Sequence, residues 1–581
     1  MKSRLFLLTV LSFITALLAF RLKEANITNH TLGKTREYRN MNIVRCTPDW
    51  NELKEWLEEA DIPLVPGAGN YKWKITTKSD SAQFYFNQGI NMYYGFHIIE
   101  AMASFKKASK FDSKCAMLHW AQALAYGPNI NDFGYRASPE ALAAISKAVE
   151  YEEKASAFEK FLIDAMAIRY TSDSADATRA QLNQDYTDMM QKAYKSFPAN
   201  PDAKALYADA MMLQHPWDLW NVNGTPKPWT PQIRQVLEKL LVQYPNHPAG
   251  NHYYIHVMEA SPFANNALPS AARLGITNPA LSHLVHMPSH IYLRTGNYQQ
   301  GVLVNTKAVN SYKKVAKLFA PVTSNDFLYV IHNLHMKANN AMLAGQYKNS
   351  IDAANETKKS IPSDYLSIPA PMGNYVQYIN MTPVLVLVRF GKWDELLKIS
   401  QPGKAQVFGN IMYHFGRGMA QAGKSELSEA INELNRLIEY MKDTSLHIPF
   451  VPFSPAIDAA RVAEKMLVGT ITLKQGKYDQ AIVAFKEAVT IEENMVYNEP
   501  RDWMLNPKHF LANAYLKAGM TKEAKEVLEK DLLNNKENGW ALYGIWQALT
   551  KEKKTAEAAK ALARYKKAFI KTDVKPTAPV F

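Results

Sequence analysis

Eight of the fifteen histidines in this chain fall between His247 and His335, and most recur at spacings that a metal ion could use. His252, His256 and Glu259 are separated by four and three residues, His283, His286 and His290 by three and four, and His332 and His335 by three. Residues three, four and seven apart share one face of a helix, so each group forms a polar stripe. Imidazole nitrogens beside a carboxylate are donors that zinc, iron and copper accept. The ligand set for a divalent transition metal read from this pattern is His252, His256, His286 and His290, with Glu259 as a further ligand or a proton-transfer group. His283, His332 and His335 are additional candidates.

Two other readings fit the same residues. One is a polar groove that receives a peptide or a small anion, and the other is a set of histidines engaged in packing and hydrogen bonding. No zinc-peptidase signature is present, because His252-Tyr-Tyr-Ile-His256 carries tyrosine where the general-base glutamate would stand. The glycine pattern contains no P-loop and no dinucleotide fingerprint.

The distances between stripes define the elements that must hold them. His252 to His286 and His256 to His290 are both 34 residues, the period of a helix-turn-helix repeat of the tetratricopeptide kind. A third copy registers on its turn. His286 and His335 lie ten residues before Gly296-Asn-Tyr298 and Gly345-Gln-Tyr347 respectively, and His283 and His332 lie thirteen before, with an insertion of 15 residues between the two turns. First helices line the concave side of such an array, so the imidazoles should gather inside its groove. Pro288 interrupts the second stripe and weakens the ideal-face argument for His283.

The fold expected is all-α, a helix-turn-helix repeat solenoid of the tetratricopeptide type. Small-aromatic-small stripes mark its second helices, first at Ala101, Phe105 and Ala108 and most clearly at Ala481, Phe485 and Ala488 after Gly476-Lys-Tyr478. Gly476, Ala481 and Ala488 are read as letting helices approach, with Gly469 at the close-packing position of the preceding helix. Residues 1–20 read as a signal peptide, 21–76 as a cap or linker, 77–447 as divergent repeats carrying the histidine groove, 448–575 as clearer tetratricopeptide repeats, and 576–581 as a tail. The boundary at 447–448 rests on Pro449, Pro452 and Pro455. Before the first stripe, His215-Pro-Trp-Asp-Leu-Trp220 and the prolines around Trp229 form a structured loop. Its Trp217, Asp218, Trp220 and Trp229 make either one wall of the groove or a hydrophobic plug. His97 and His119 lie outside the repeat register and are assigned to the core or a cap.

Gly127-Pro-Asn-Ile-Asn131, His215-Pro-Trp-Asp-Leu-Trp220, His252-Tyr-Tyr-Ile-His256 and His286-Met-Pro-Ser-His290 resemble segments of a large, poorly characterised group of bacterial exported tetratricopeptide-repeat proteins. The resemblance extends from about residue 77 to 575. It implies a helical-repeat fold with a shared internal site, and brings no reaction or substrate.

Composition narrows the partners. The net charge of +13 is spread along 581 residues without arginine-rich blocks or aromatic-basic interleaving, so no nucleic acid is expected. The groove is expected to take a peptide, protein or small-molecule ligand. Met-Lys-Ser-Arg followed by apolar residues from Leu5 to Phe20 has signal-peptide form and is short for a membrane span. Export to the periplasm or outer envelope is therefore expected, with no stable membrane insertion after signal removal and an uncleaved anchor as the alternative. Cys46 and Cys115 are the two cysteines, which excludes a four-cysteine metal site and leaves one disulfide as an open pairing. These features together define a binding or scaffold protein with an internal histidine site, or a metal-dependent hydrolase or oxidoreductase using it, or an interaction solenoid without metal.

Overall fold

The computed structural model describes residues 50–59, 62–131, 135, 138–173, 175–319 and 327–581. The chain is an all-α solenoid of paired helices, and extended pairing among the described residues is limited to two isolated bridges, Trp220 with Pro226 and Phe450 with Phe453. The expected signal peptide at residues 1–20 and Cys46 lie outside the described residues. Cys115 is buried, its thiol donating to the Thr76 carbonyl, and burial pushes its pKa up to about 11. No helix among the described residues is long and apolar enough to cross a membrane.

The repeats are punctuated as the sequence requires. Gly296, Gly345, Gly391, Gly476 and Gly519 each close a first helix with positive φ, between 62° and 82°, the left-handed conformation that ends a helix without a Cβ penalty. Pro248, Pro201 and Pro507 open helices whose first residues are capped by the His247, Asn200 and Asn506 side chains. Towards the C-terminus, Ala456–Lys474 pairs with Tyr478–Asn494, Pro507–Lys517 with Thr521–Asn534, and Gly539–Lys551 with Thr555–Ala568. The first helices of successive pairs also pack on one another, which is the stacking of a tetratricopeptide array. A Cβ at Gly469 would lie 2.7 Å from the Phe485 ring, whereas one at Gly476 would meet nothing within 4 Å. Gly469 therefore supplies the close approach, and Gly476 is needed for its backbone angle alone.

Among the described residues two large apolar cores fill the solenoid, one running from Trp50 to Phe319 and the other from Ile331 to Val580, with two smaller clusters around Tyr329 and Met336 between them. The second spans the expected boundary at 447–448, because the proline-marked loop passes over helices whose interior packing is continuous. Residues from the expected linker, Trp73 and Ile75, are buried in the first core. The expected tail packs as well: the Pro579 carbonyl accepts from Arg389 at 2.5 Å, and Phe581 lies 5.7 Å from the Trp540 ring.

The C-terminal half folds back onto the histidine region. Tyr298 Oη donates to the Lys536 carbonyl at 2.8 Å, Trp540 Nε1 to the Met342 carbonyl at 2.9 Å, and Tyr497 Oη to Glu259 Oε2 at 3.1 Å. Asp573 accepts from the backbone N–H groups of Tyr347 and Lys348 at 2.6 and 2.9 Å, capping the helix Tyr347–Ser360. The concave side is thereby enclosed, and the imidazoles it carries lie in the interior.

Candidate metal centre

Four helical segments bring the histidines together. Pro248–Glu259 carries His252, His256 and Glu259; Ser282–His286 carries His283 and His286; Pro288–Thr295 carries His290; and His332–Leu343 begins with His332 directly after a π-helical turn, Phe327–Ile331. Pro288 has no N–H to give the Leu284 carbonyl, so the second stripe breaks into two short helices. The break redirects it. His283 turns toward the first helix, and His286 and His290 turn toward His332.

The result is two triads. His252, His256 and His283 form one, and His286, His290 and His332 the other, with ligand atoms within 4.8 Å of one another in each. In the first, Nε2 of His252 lies 3.1 Å from that of His256 and 3.0 Å from that of His283. In the second, Nε2 of His286 lies 2.7 Å from that of His290 and 3.1 Å from that of His332. The triads are neighbours, with the rings of His283 and His286 6.1 Å apart. The four histidines read from the sequence as one ligand set are thus divided two and two, and His283 and His332 complete the sets.

Acceptors fix three of the outer ring nitrogens, those of His252, His256 and His286. His252 Nδ1 is 2.7 Å from the Tyr94 carbonyl, which can only accept. His256 Nδ1 is 3.0 Å from Glu259 Oε1. His286 Nδ1 is 2.6 Å from Asn305 Oδ1, and Asn305 uses its amide nitrogen on the Gly301 carbonyl, so its oxygen is the acceptor. His290 Nδ1 lies 3.0 Å from Glu259 Oε2 and 3.3 Å from Glu499 Oε1, at ion-pair distance but off a hydrogen-bond axis. His283 Nδ1 has no partner, and its ring is held between Phe96 and Tyr329. A histidine that donates through Nδ1 keeps its lone pair on Nε2. The Nε2 atoms of His252 and His256 therefore face each other as two acceptors.

Burial holds the imidazoles of His252, His283, His286 and His332 well below their ordinary pKa, with neighbouring histidines adding to the effect, and it lowers His256 as well. Neutral imidazole is the ligand form. Two buried carboxylates share the outer edge. Burial and the charge of Glu259 push Glu499 well up, while His290 and the hydrogen bonds to Glu259 outweigh its burial and hold it down. Glu259 is thus the ionised member, joining the triads through the back of His256 and His290.

The remaining candidates take other places. His335 is buried near Tyr378 with neither ring nitrogen bonded, and burial lowers its pKa to about 3. His247 caps the first histidine helix through Nδ1 and reaches Asp202 through Nε2. His97 stacks on Tyr329 and His119 bonds the Ser113 carbonyl. Beside the triads lies a cavity of about 890 Å³ whose walls include Trp217, Asp218, Trp220, Arg294, Tyr497 and Arg501. Trp217 also lines a small cavity with His256, its ring 5.4 Å from that imidazole. Trp229 stands apart, stacked on His215 with Nε1 donating to the Asp218 carbonyl.

Glu499, Tyr497, Asn305 and Arg294 complete the site without having been singled out as site residues by the sequence pattern. Arg294 did carry a signal, since it continues the spacing of four through His286 and His290.

No protein-family model matches the chain, and no curated protein matches it. Solved structures align over most of its length at low identity. The human IFIT1 dimer with m7Gppp-AAAA is 12% identical, covering 86% of this chain and 92% of that one with a TM-score of 0.29. The APC/C hetero-tetramer Cut9-Hcn1 is 13% identical over 89% and 80%, with a TM-score of 0.26. Yeast Tom70 is 11% identical over 84% and 93%, with a TM-score of 0.27. Superpositions this loose carry nothing about the site.

Proposed function

We propose that this helical-repeat protein is a metalloprotein whose two histidine triads each hold one divalent transition-metal ion, side by side, for chemistry on a small molecule in the adjoining cavity. The observation that carries the reading is the convergence of three imidazole Nε2 atoms at about 3 Å in each triad and, in the first, the confrontation of the His252 and His256 lone pairs, whose Nδ1 atoms are committed to the Tyr94 carbonyl and Glu259. Three nitrogens each about 2.0–2.1 Å from one ion sit roughly 3.3 Å apart, close to the separations found here. Histidines serving packing alone would aim N–H groups at acceptors, whereas His252 and His256 aim acceptors at each other.

Three protein ligands per ion leave a fourth tetrahedral position open, the pattern of catalytic rather than structural sites. An all-imidazole set suits copper, zinc or iron over magnesium or calcium. Glu259 serves as the orienting carboxylate behind both triads rather than as a ligand. With neutral ligands, the charge of two ions would be offset by an anion at the open positions, as in metal-assisted hydrolysis or oxidation.

The test is elemental analysis of untagged full-length protein, stripped with chelator and reloaded. Two ions per chain are expected in the wild type, one in His252→Ala/His283→Ala, one in His286→Ala/His332→Ala, and none in the combined variant. Wild-type protein that binds no zinc, copper or iron would leave a peptide-binding or protein-scaffold role for the solenoid surface. Export rests on the charged and apolar pattern of residues 1–20, and an intact mass from the native envelope that includes those residues would count against signal removal.

A further inference from the structure

Among the charged groups that line the large cavity, one guanidinium lacks an ion-pair partner; Asp502 accepts from the Asn498 amide, and burial pushes its pKa up to about 7. Asp218 is paired with Lys227 at 2.8 Å, Glu492 with Arg501 at 2.7 Å and Lys508 at 3.4 Å, and Glu493 with Lys508 at 3.1 Å. Arg294 has no such partner. Its side chain belongs to a residue only 8% exposed, its Nε is unbonded, and its one hydrogen bond is a long one, 3.4 Å from Nη2 to the Ser261 carbonyl. Burial and nearby Arg501 lower its pKa to about 10, which leaves it charged at neutral pH. A buried guanidinium with no carboxylate at ion-pair distance, and only the more distant charge of Glu259 to offset it, is costly, and its planar fork matches a carboxylate or phosphate group.

Its position is specific. Arg294 lies one helical turn beyond His290 on the helix Pro288–Thr295, and it lines the cavity. Indoles of Trp217 and Trp220 form another part of the wall, and Trp217 holds a φ of 61°, uncommon for a bulky residue and characteristic of backbones constrained at functional sites. A cavity of about 890 Å³ is of the size that takes a small molecule.

We infer that the cavity binds a small organic oxyanion, a carboxylate or a phosphate ester, with its charged end on Arg294 and its body against the indoles of Trp217 and Trp220. This deepens the metal-centre reading by naming the substrate class, and rests on that reading only for what the bound molecule faces. Anion capture itself needs no ion.

The probes are benzoate, phenyl phosphate and neutral benzamide, titrated by calorimetry and tryptophan fluorescence into full-length protein after chelation. At least one oxyanion should bind saturably and at least about tenfold more tightly than benzamide, the effect of one buried charge-assisted hydrogen bond. Which of the two binds separates the carboxylate from the phosphate source. Arg294→Gln should remove that preference, and Arg294→Lys should restore part of it. Equal binding of benzamide and the oxyanions, no binding by either oxyanion, or an undiminished preference in Arg294→Gln would each overturn the inference. The wild-type comparison decides the matter even if the variant misfolds. Elemental analysis of the same protein after reloading with zinc, copper or iron keeps the two proposals apart, since an Arg294-dependent preference in a protein that takes up no metal would sink the centre and leave the anion site standing.

Discussion

Glu259→Gln separates an orienting carboxylate from a ligand. Glu259 is fully buried, with Oε1 3.0 Å from His256 Nδ1, Oε2 3.0 Å from His290 Nδ1, and Tyr497 Oη donating to Oε2 at 3.1 Å. Glutamine keeps the shape but offers only one acceptor oxygen. Tyr497 continues to need that acceptor, so the amide NH2 falls on the Oε1 side and points its hydrogens at His256. His256 must then carry its proton on Nε2, the atom that faces His252. Loss of such an orienting partner typically weakens metal binding by about 10- to 100-fold, or roughly 1.4–2.7 kcal/mol. The first triad should weaken by that amount, while the second, whose His290 contact keeps its oxygen, should change by less than about threefold. Competition titration against a chelator of known affinity would resolve the two sites, with circular dichroism confirming that helicity is intact. Complete loss of both ions from a folded variant would make Glu259 a ligand. Unchanged affinity at both sites would remove its orienting role.

Other residues give independent checks. Phe485 is fully buried against Gly469, and Phe485→Ala should cost about 3–5 kcal/mol in denaturant unfolding; a loss below about 1 kcal/mol would take it out of the core. Burial raises Asp209 from 3.8 to about 7 against the opposing pull of Arg169, so the folded state holds its proton longer than the unfolded chain. Stability from this group is full below pH 3.8 and is lost as pH rises to about 7, by about 4 kcal/mol in total, and Asp209→Asn should remove that slope from urea unfolding measured across the range. His335 runs the other way: with its pKa lowered to about 3 by burial, it favours folding above the unfolded value of 6.5 and becomes a liability as pH falls through the window below it. His335→Leu should flatten the acid limb between pH 6.5 and about 3 in metal-free protein, and an unaltered limb would mean that the buried ring takes up a proton without cost.

The repeat was legible because its period is a covalent fact. Two spacings of 34 residues, read with the turn glycines, placed His252, His256, His283, His286, His290 and His332 on inward faces, and the structure brings all six together. The partition into triads was not legible, because it depends on where Pro288 breaks the helix and swings His283 away from His290. His335 shares the repeat register, but its side chain enters the packing near Tyr378, since a helix face three residues wide reaches beyond the centre. Gly476 shows the same limit on a smaller scale: glycine marks the turn in the sequence, and only the structure tells a need for positive φ from a need for close approach. Of the aromatic loop, Trp217, Asp218 and Trp220 face the cavity while Trp229 packs on His215, a division set by side-chain direction rather than spacing.

Glu499 and Tyr497 were beyond the reach of periodicity for a different reason. They lie on the segment between Tyr478–Asn494 and Pro507–Lys517, and they meet the histidines only because the C-terminal repeats close back over the concave side. That closure changes what the solenoid can be. An open groove would present its imidazoles to water, where each ring could exchange its proton freely and an extended peptide could lie along the array. Here the Tyr298–Lys536, Trp540–Met342 and Asp573–Lys348 contacts hold the far repeats over the buried histidines, and Trp217, Tyr497 and Arg294 line the cavity beside them. An interior in which the His252 and His256 lone pairs face each other, beside a cavity lined by a guanidinium without an ion-pair partner, is the arrangement on which the proposal of a small charged guest rests, and it separates that proposal from one in which a long polypeptide lies along an open groove.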